Sequence, residues 1–214
     1  KNQLLSRPKN PIQIKLNLTG LTDLLIKLKI SQVSIQSLEI TEKLLQTIQK
    51  SLTSETLIST SLISPITNLF ESSKGLEIYE NLYFTKTNVD GQEISQPINL
   101  LKTILEENNL NHPDLINQII QNNSLQSLYQ IPSEIKNLFL TSKELSTEFH
   151  FNLQKLFETQ LNSNIDKKII FENSLDLEQI KEIIIVYLQQ NLRSIRFCSF
   201  QPLLPSTENI SSSV

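Results

Sequence analysis

Glycine is scarce in this chain of 214 residues, which carries only Gly20, Gly75 and Gly91. A backbone that cradles an anion with its own N–H groups usually needs glycine at several points, because other residues resist a positive φ. Most of the chain is therefore poorly suited to such a cradle. Cysteine occurs once, at Cys198, which excludes an internal disulfide and a metal site built of thiolates alone. The two histidines, His112 and His150, stand far apart in sequence, so a metal site would need both plus distant carboxylates. No metal site is expected. No apolar run approaches the roughly 18 residues that span a bilayer, and the longest is IIIVYL at 183–188. No secretory leader pattern is present. Methionine is absent, even at position 1. The expectation is a processed product, a fragment, or a numbering that begins inside a longer chain. The compartment is left open, with an intracellular or organellar setting favoured over secretion.

A formal net charge of −3 gives no general attraction to nucleic acid or to an anionic membrane. The core is expected from Leu and Ile, with Phe in support. Asn, Gln and Ser crowd the remainder, as A·T-rich codon bias would produce. A prion-like tract fits less well, because these polar residues are interleaved with apolar ones at helical spacing. The length fits one domain with appendages. Residues 1–11, KNQLLSRPKNP, read as an extended basic arm, 12–200 as the folded domain, and 201–214 as a tail without a fold of its own.

Along the domain, IQIKLNL at 12–18 alternates strictly and predicts a strand. Gly20 ends it, and 21–29 place Leu21, Leu24, Leu25 and Leu28 on one helical face. Ser34 is positioned to cap a helix over 35–50. Residues 51–63 are Ser/Thr-rich and ambiguous, with helix as one reading, and Pro65 breaks what precedes it. Residues 78–87 read as a strand, NVDG at 88–91 as a turn, and EISQPI as a short returning edge segment. Helices are expected over 98–109, 114–122 and 131–139, then a long amphipathic one from Glu144 to Leu161. Lys168–Phe171 reads as a strand. Asp176 opens a last helix whose Leu177, Ile180, Ile184 and Leu188 are spaced for burial. RSIRFC at 193–198 alternates as a final strand. The class is α/β and helix-rich, with one inserted hairpin and no internal repeat.

Four blocks then stand in a telling order. The first is LNLTGLTDLLIKLKI at 16–30, with Gly20 to Leu25 reading Gly-Leu-x-Asp-Leu-Leu. The second is ESSKGLEIYENLYFTKT at 71–87. The third, 131–195, runs Ile131, Pro132, Glu134 and Lys136, then Phe139 and Thr141, then Glu148, His150 and Gln154. The fourth is LRSIRFC. In this order they resemble the C-terminal third of the catalytic subunit of ribonucleotide reductases, nearest the adenosylcobalamin-dependent class. The resemblance implies a partial or trimmed ribonucleotide-reductase-type α/β barrel, cut from a ten-stranded whole.

The departures from that family bear on function. The radical cysteine of the resembled family sits on a finger loop that would lie upstream of Lys1, and its reducing cysteine pair has no counterpart beside Cys198. Ser64-Pro65-Ile66-Thr67-Asn68 stands where the family expects Ala-Pro-Thr-Gly-Thr, so the glycine of the phosphate loop is gone. Ser64, Pro65, Thr67 and Glu77 are thus a relic phosphate loop, with a plain helix-breaking turn as the competing reading. The family's Ser-Lys-Thr becomes Asp166-Lys167-Lys168, and the wall between residue 50 and Pro65 is trimmed. His150 reads as a packed or capping histidine and Cys198 as a buried thiol. Arg7, Lys9, Lys15, Lys167 and Lys168 are candidate partner contacts, with a solvated surface as the alternative for the last two. Nucleic acid is expected to touch the basic arm alone.

Three functions compete. The first is a non-catalytic relic that serves as a structural or interaction subunit, through a protein partner or self-association. The second is the C-terminal piece of a split reductase, active only with a partner chain that completes the adenosylcobalamin site. On either reading this chain alone binds no cofactor. The third, a nucleotide sensor, fits least, since the anion-binding features are the ones that departed.

Overall fold

Strand β1 (Ile14–Asn17) forms where apolar and polar residues alternate, and Gly20 turns the chain out of it at φ 80°. A Cβ there would stand 3.4 Å from Asp23 Oδ2, an ordinary contact. Glycine is therefore needed for the left-handed backbone, not for space. The computed structural model describes residues 14–51, 56–59, 73, 77–162, 167–171 and 176–199; in 14–17, 56–59, 167–171 and 195–199 it describes backbone alone. The expected arm, the tail and residues 60–72 lie outside the described residues.

Helix α1 (Leu21–Lys27) follows at once, then α2 (Ile35–Ser51). Ser34 caps α2 as its sequence implies: its Oγ accepts from the Ser37 N–H at 3.1 Å. Within the ambiguous stretch after α2, Ser51 is the last residue of the helix and four residues are extended. Thr56–Ser59 is strand β2, paired parallel with β1 in the register Ile14 to Thr56. A parallel partner forty residues away has no local sequence signal, which is why composition alone left this segment open.

The strand expected over 78–87 shortens to β3 (Tyr83–Thr87), since residues 77–82 run irregularly across the core. β3 pairs antiparallel with β4 (Glu93–Pro97). Their turn closes with the Gly91 N–H donating to the Asn88 carbonyl at 2.9 Å, and Gly91 takes φ 80°. Three helices then follow: α3 (Asn99–Glu107), α4 (Pro113–Asn122) and α5 (Ser133–Leu138). Pro113 opens α4 in its first turn, where its missing N–H costs nothing.

The long helix does not start at Glu144. That residue is consumed by a 3₁₀ turn, Ser142–Glu144, in which its carboxylate accepts from the Thr141 N–H and hydroxyl at 2.6 and 2.7 Å. Helix α6 (Thr147–Leu161) therefore begins after Ser146, whose Oγ accepts from the Phe149 N–H. Strand β5 (Lys167–Phe171), helix α7 (Leu177–Gln189) and strand β6 (Ile195–Ser199) complete the described residues, with β5 and β6 parallel. The expected burial of Leu177, Ile184 and Leu188 on α7 is not what the fold provides: all three are exposed. Only Tyr187 of α7 is fully buried.

Two cores share α1. Ile26 joins Leu82, Leu101, Ile119, Leu125 and Phe139 in one, while Leu21 and Leu25 join Leu45, Leu153 and Phe157 in the other. The irregular segment splits the same way, with Tyr79 in the first core and Ile78 in the second.

Asn123 fixes that irregular segment to α4. Its side chain accepts from the Leu82 N–H at 2.8 Å and donates to the Glu80 carbonyl at 2.9 Å and to Asn81 Oδ1 at 2.8 Å. Its own backbone is left-handed, φ 48°. Asn123→Gly should cost about 2–4 kcal/mol by stranding buried polar groups. Asn123→Ala should cost roughly 1 kcal/mol more for the backbone. Urea denaturation checks both values and their order; equal stability of the two variants would contradict this account.

Candidate functional site

Of the residues singled out as a relic phosphate loop, Ser64, Pro65 and Thr67 lie outside the described residues. Glu77 is described and half-buried, and its carbonyl accepts from the Thr22 hydroxyl at 3.0 Å. Arg7 and Lys9 also lie outside. Lys15 stands in β1 opposite Leu57, while Lys167 and Lys168 stand in β5 opposite Ile195 and Arg196. The basic candidates thus belong to two separate sheets among the described residues. Cys198 sits in β6 opposite Ile170.

What converges near Glu77 is a clamp at the start of α1. The Asp23 carboxylate accepts from the Ser73 N–H at 2.8 Å, from the Ser73 hydroxyl at 3.3 Å and from the Tyr79 hydroxyl. The Gly20 N–H in turn donates to the Ser73 carbonyl at 3.1 Å. Asp23 lies in the first helical turn, where the helix dipole also favours a negative charge. Burial first, then the charge and hydrogen bond of Asp23, hold the Tyr79 phenol far above the usual tyrosine range. Chemically this is an anchored neutral phenol on a carboxylate whose oxygens are both occupied by this chain. Such an arrangement positions backbone and offers little to a ligand.

From Tyr79 the contacts continue inward. The Tyr79 carbonyl accepts from the Ser142 N–H at 2.8 Å, and the Ser142 carbonyl contacts His150 Nε2 at 2.8 Å. His150 is buried, next to Phe149 and Phe151 in sequence. One and two turns further along α6, Gln154 and Glu158 are buried and reach the approach to β6. Gln154 Nε2 donates to the Ser194 carbonyl at 2.5 Å and to Glu158 Oε1 at 2.9 Å. The Arg193 N–H donates to the Glu158 carboxylate at 3.2 Å. Sequence reasoning placed Asp23 in the Gly-Leu-x-Asp-Leu-Leu stretch without giving it a role, and did not single out Ser73, Tyr79 or Glu158. Their signal was available only in part: Asp23 follows a turn glycine by three residues, but its partners lie fifty residues on.

Residues 55–197 match the family described as ribonucleotide reductase, barrel domain, which is well over half of the chain. The chain belongs to the ribonucleotide reductase barrel-domain family. The vitamin B12-dependent ribonucleoside-diphosphate reductase of Thermoplasma acidophilum is 24% identical over 200 residues, covering 78% of this chain and 26% of that protein. A class Id ribonucleotide reductase alpha subunit from Actinobacillus ureae has the same fold, with a TM-score of 0.69 at 18% identity. That likeness covers 90% of this chain and 40% of that one. The chain thus spans well under half the length of either. The fold is a partial or trimmed ribonucleotide-reductase-type α/β barrel, rich in helix.

Within this barrel-domain fold, the residues of the third block divide by burial. Ile131, Phe139, Thr141, His150 and Gln154 are buried, while Pro132, Glu134 and Glu148 are exposed. The buried set is engaged in packing or internal hydrogen bonds. Among the described residues, no group of three or more His, Cys, Asp or Glu is placed to hold a metal, and no helix is long and apolar enough to cross a membrane.

The clamp has a pH signature with a definite sign. Below about pH 10, Tyr79 is protonated in both folded and unfolded chains, and its contribution is complete. Above that, the unfolded chain ionises and the folded one resists, so stability falls by about 1.4 kcal/mol per pH unit. Tyr79→Phe should be about 1–2 kcal/mol less stable at neutral pH and should lack this alkaline loss. Urea denaturation of both proteins between neutral and strongly alkaline pH measures the difference. Parallel pH curves would contradict the assignment.

Proposed function

We propose that this chain is a non-catalytic member of the ribonucleotide reductase family, a structural or interaction subunit that supplies barrel wall to a larger assembly. One observation carries the reading: the buried residues by which the chain follows the family are engaged in holding the fold, while the phosphate-loop stretch has lost its glycine. Asp23, His150 and Gln154 all spend hydrogen bonds on this chain's own backbone. The sequence Ser64-Pro65-Ile66-Thr67-Asn68 offers no glycine to turn N–H groups toward a diphosphate. With one cysteine, these 214 residues by themselves do not supply a reducing dithiol.

A second reading, the C-terminal piece of a split reductase, is favoured by the extended similarity to the vitamin B12-dependent enzyme. In that case a partner chain would contribute the radical cysteine and complete the adenosylcobalamin site.

The test is to isolate the native assembly through this chain, identify every component by mass spectrometry, and supply a ribonucleoside diphosphate, adenosylcobalamin and a dithiol. The proposed function predicts no 2′-deoxynucleotide. Turnover that disappears when this chain is removed would overturn it in favour of the split enzyme.

A further inference from the structure

A small cavity lies in the second core, where α1, the turn after it, α2 and α6 meet. Four polar residues line it, Thr22, Gln32, Ser37 and Thr41, among apolar side chains that include Leu25 and Phe149. All four are buried, and Gln32 is only 1% exposed. Polar groups this deep in a core are expected to have hydrogen-bond partners, so each one calls for an account.

The donors of the lining are already committed. The Thr22 hydroxyl donates to the Glu77 carbonyl at 3.0 Å. The Ser37 hydroxyl reaches the Gln32 and Ser34 carbonyls at 2.5 and 2.7 Å, and the Thr41 hydroxyl donates to the Ser37 carbonyl at 2.7 Å. Gln32 Nε2 donates to the Leu138 carbonyl at 3.0 Å, with the Leu140 carbonyl 3.4 Å away. Those two carbonyls fix which way the amide points, because the flipped amide would set its oxygen against both of them. Gln32 Oε1 is thereby held in the core, and no donor among the described residues reaches it. The three hydroxyl oxygens likewise keep acceptor capacity once their protons are spent. The lining therefore presents acceptors and calls for a donor.

Size and charge decide which donor fits. The cavity leaves about 10 Å³ for a water-sized sphere, which is the room of one water molecule and too little for a larger ligand. The lining carries no charged side chain, so a bare cation would lose its hydration without an anionic partner. Water brings two O–H donors, and a polar lining supplies the two or more partners that a buried water requires.

We infer that this cavity is the binding site of a single buried water molecule, which donates to Gln32 Oε1 and to a hydroxyl oxygen of the lining. The water completes the hydrogen bonding of Gln32 and so fastens the turn between α1 and α2 to the second core. The inference stands apart from the question of turnover.

A high-resolution crystal structure of the full chain tests it. The expected result is a density peak about 2.7–3.2 Å from Gln32 Oε1, within hydrogen-bond reach of at least one hydroxyl oxygen among Thr22, Ser37 and Thr41. Oxygen-17 relaxation dispersion counts long-lived waters in solution, and Gln32→Met, which keeps the length of the side chain and removes the acceptor, should lower that count by one. If Gln32→Met does not fold, the unsubstituted crystal structure decides alone. A dry cavity, a cavity filled by a shifted Phe149 or Leu25, a protein donor on Gln32 Oε1, or an unchanged water count in Gln32→Met would overturn the inference. So would xenon uptake at this position under pressure, which marks an apolar, empty cavity.

Discussion

The carboxylate of Asp23 is the interaction on which the rest of the structure leans. It gathers Ser73 and Tyr79 against the first turn of α1, and α1 is the helix shared by both large cores. A half-buried carboxylate acceptor of this kind is costly to leave unpaired and directional when paired. It therefore fixes not only a distance but the path of residues 77–82, which have no regular backbone hydrogen bonding of their own. Asn123 holds the far end of the same path. Between these two anchors the chain crosses from one core to the other without a strand or a helix. The hydrophobic contacts on either side supply most of the stabilisation, but they do not by themselves specify this crossing.

On the proposed reading, the same construction lets family resemblance and loss of chemistry coexist. Positions that hold a scaffold together are constrained by many neighbours at once, and changing one strands others. His150 contacts the Ser142 carbonyl, and Ser142 in turn donates to the Tyr79 carbonyl. Gln154 and Glu158 govern the approach to β6. A glycine in a ligand loop answers only to the ligand. On the proposed reading, such a glycine is free to drift once the ligand no longer matters, while the clamp is not.

Much of the fold was legible in the sequence where the signal is local. Alternation marked β1 and β6, Ser34 announced α2, and Asn88 to Gly91 announced the hairpin turn. The failures have one cause in common, namely dependence on something distant. β2 exists through parallel pairing with β1, and its TLIS sequence says little by itself. Glu144 has good helical spacing, yet Thr141 and Ser124 take its carboxylate into a 3₁₀ turn. The spacing along α7 predicted burial, but spacing alone does not say which apolar residues the fold covers, and Leu177, Ile184 and Leu188 are exposed. The clamp was the least legible feature, because a serine, a tyrosine and an aspartate scattered over fifty residues carry no pattern until the chain is folded.

The central claim is that a reductase barrel wall persists here without the capacity to hold a nucleotide. Calorimetric titration of the native assembly with a ribonucleoside diphosphate tests it most directly. The account predicts no saturable heat assignable to this chain, and no change when Thr67 is replaced by alanine. Saturable binding that the Thr67→Ala substitution abolishes would contradict it and restore the phosphate loop as a working site.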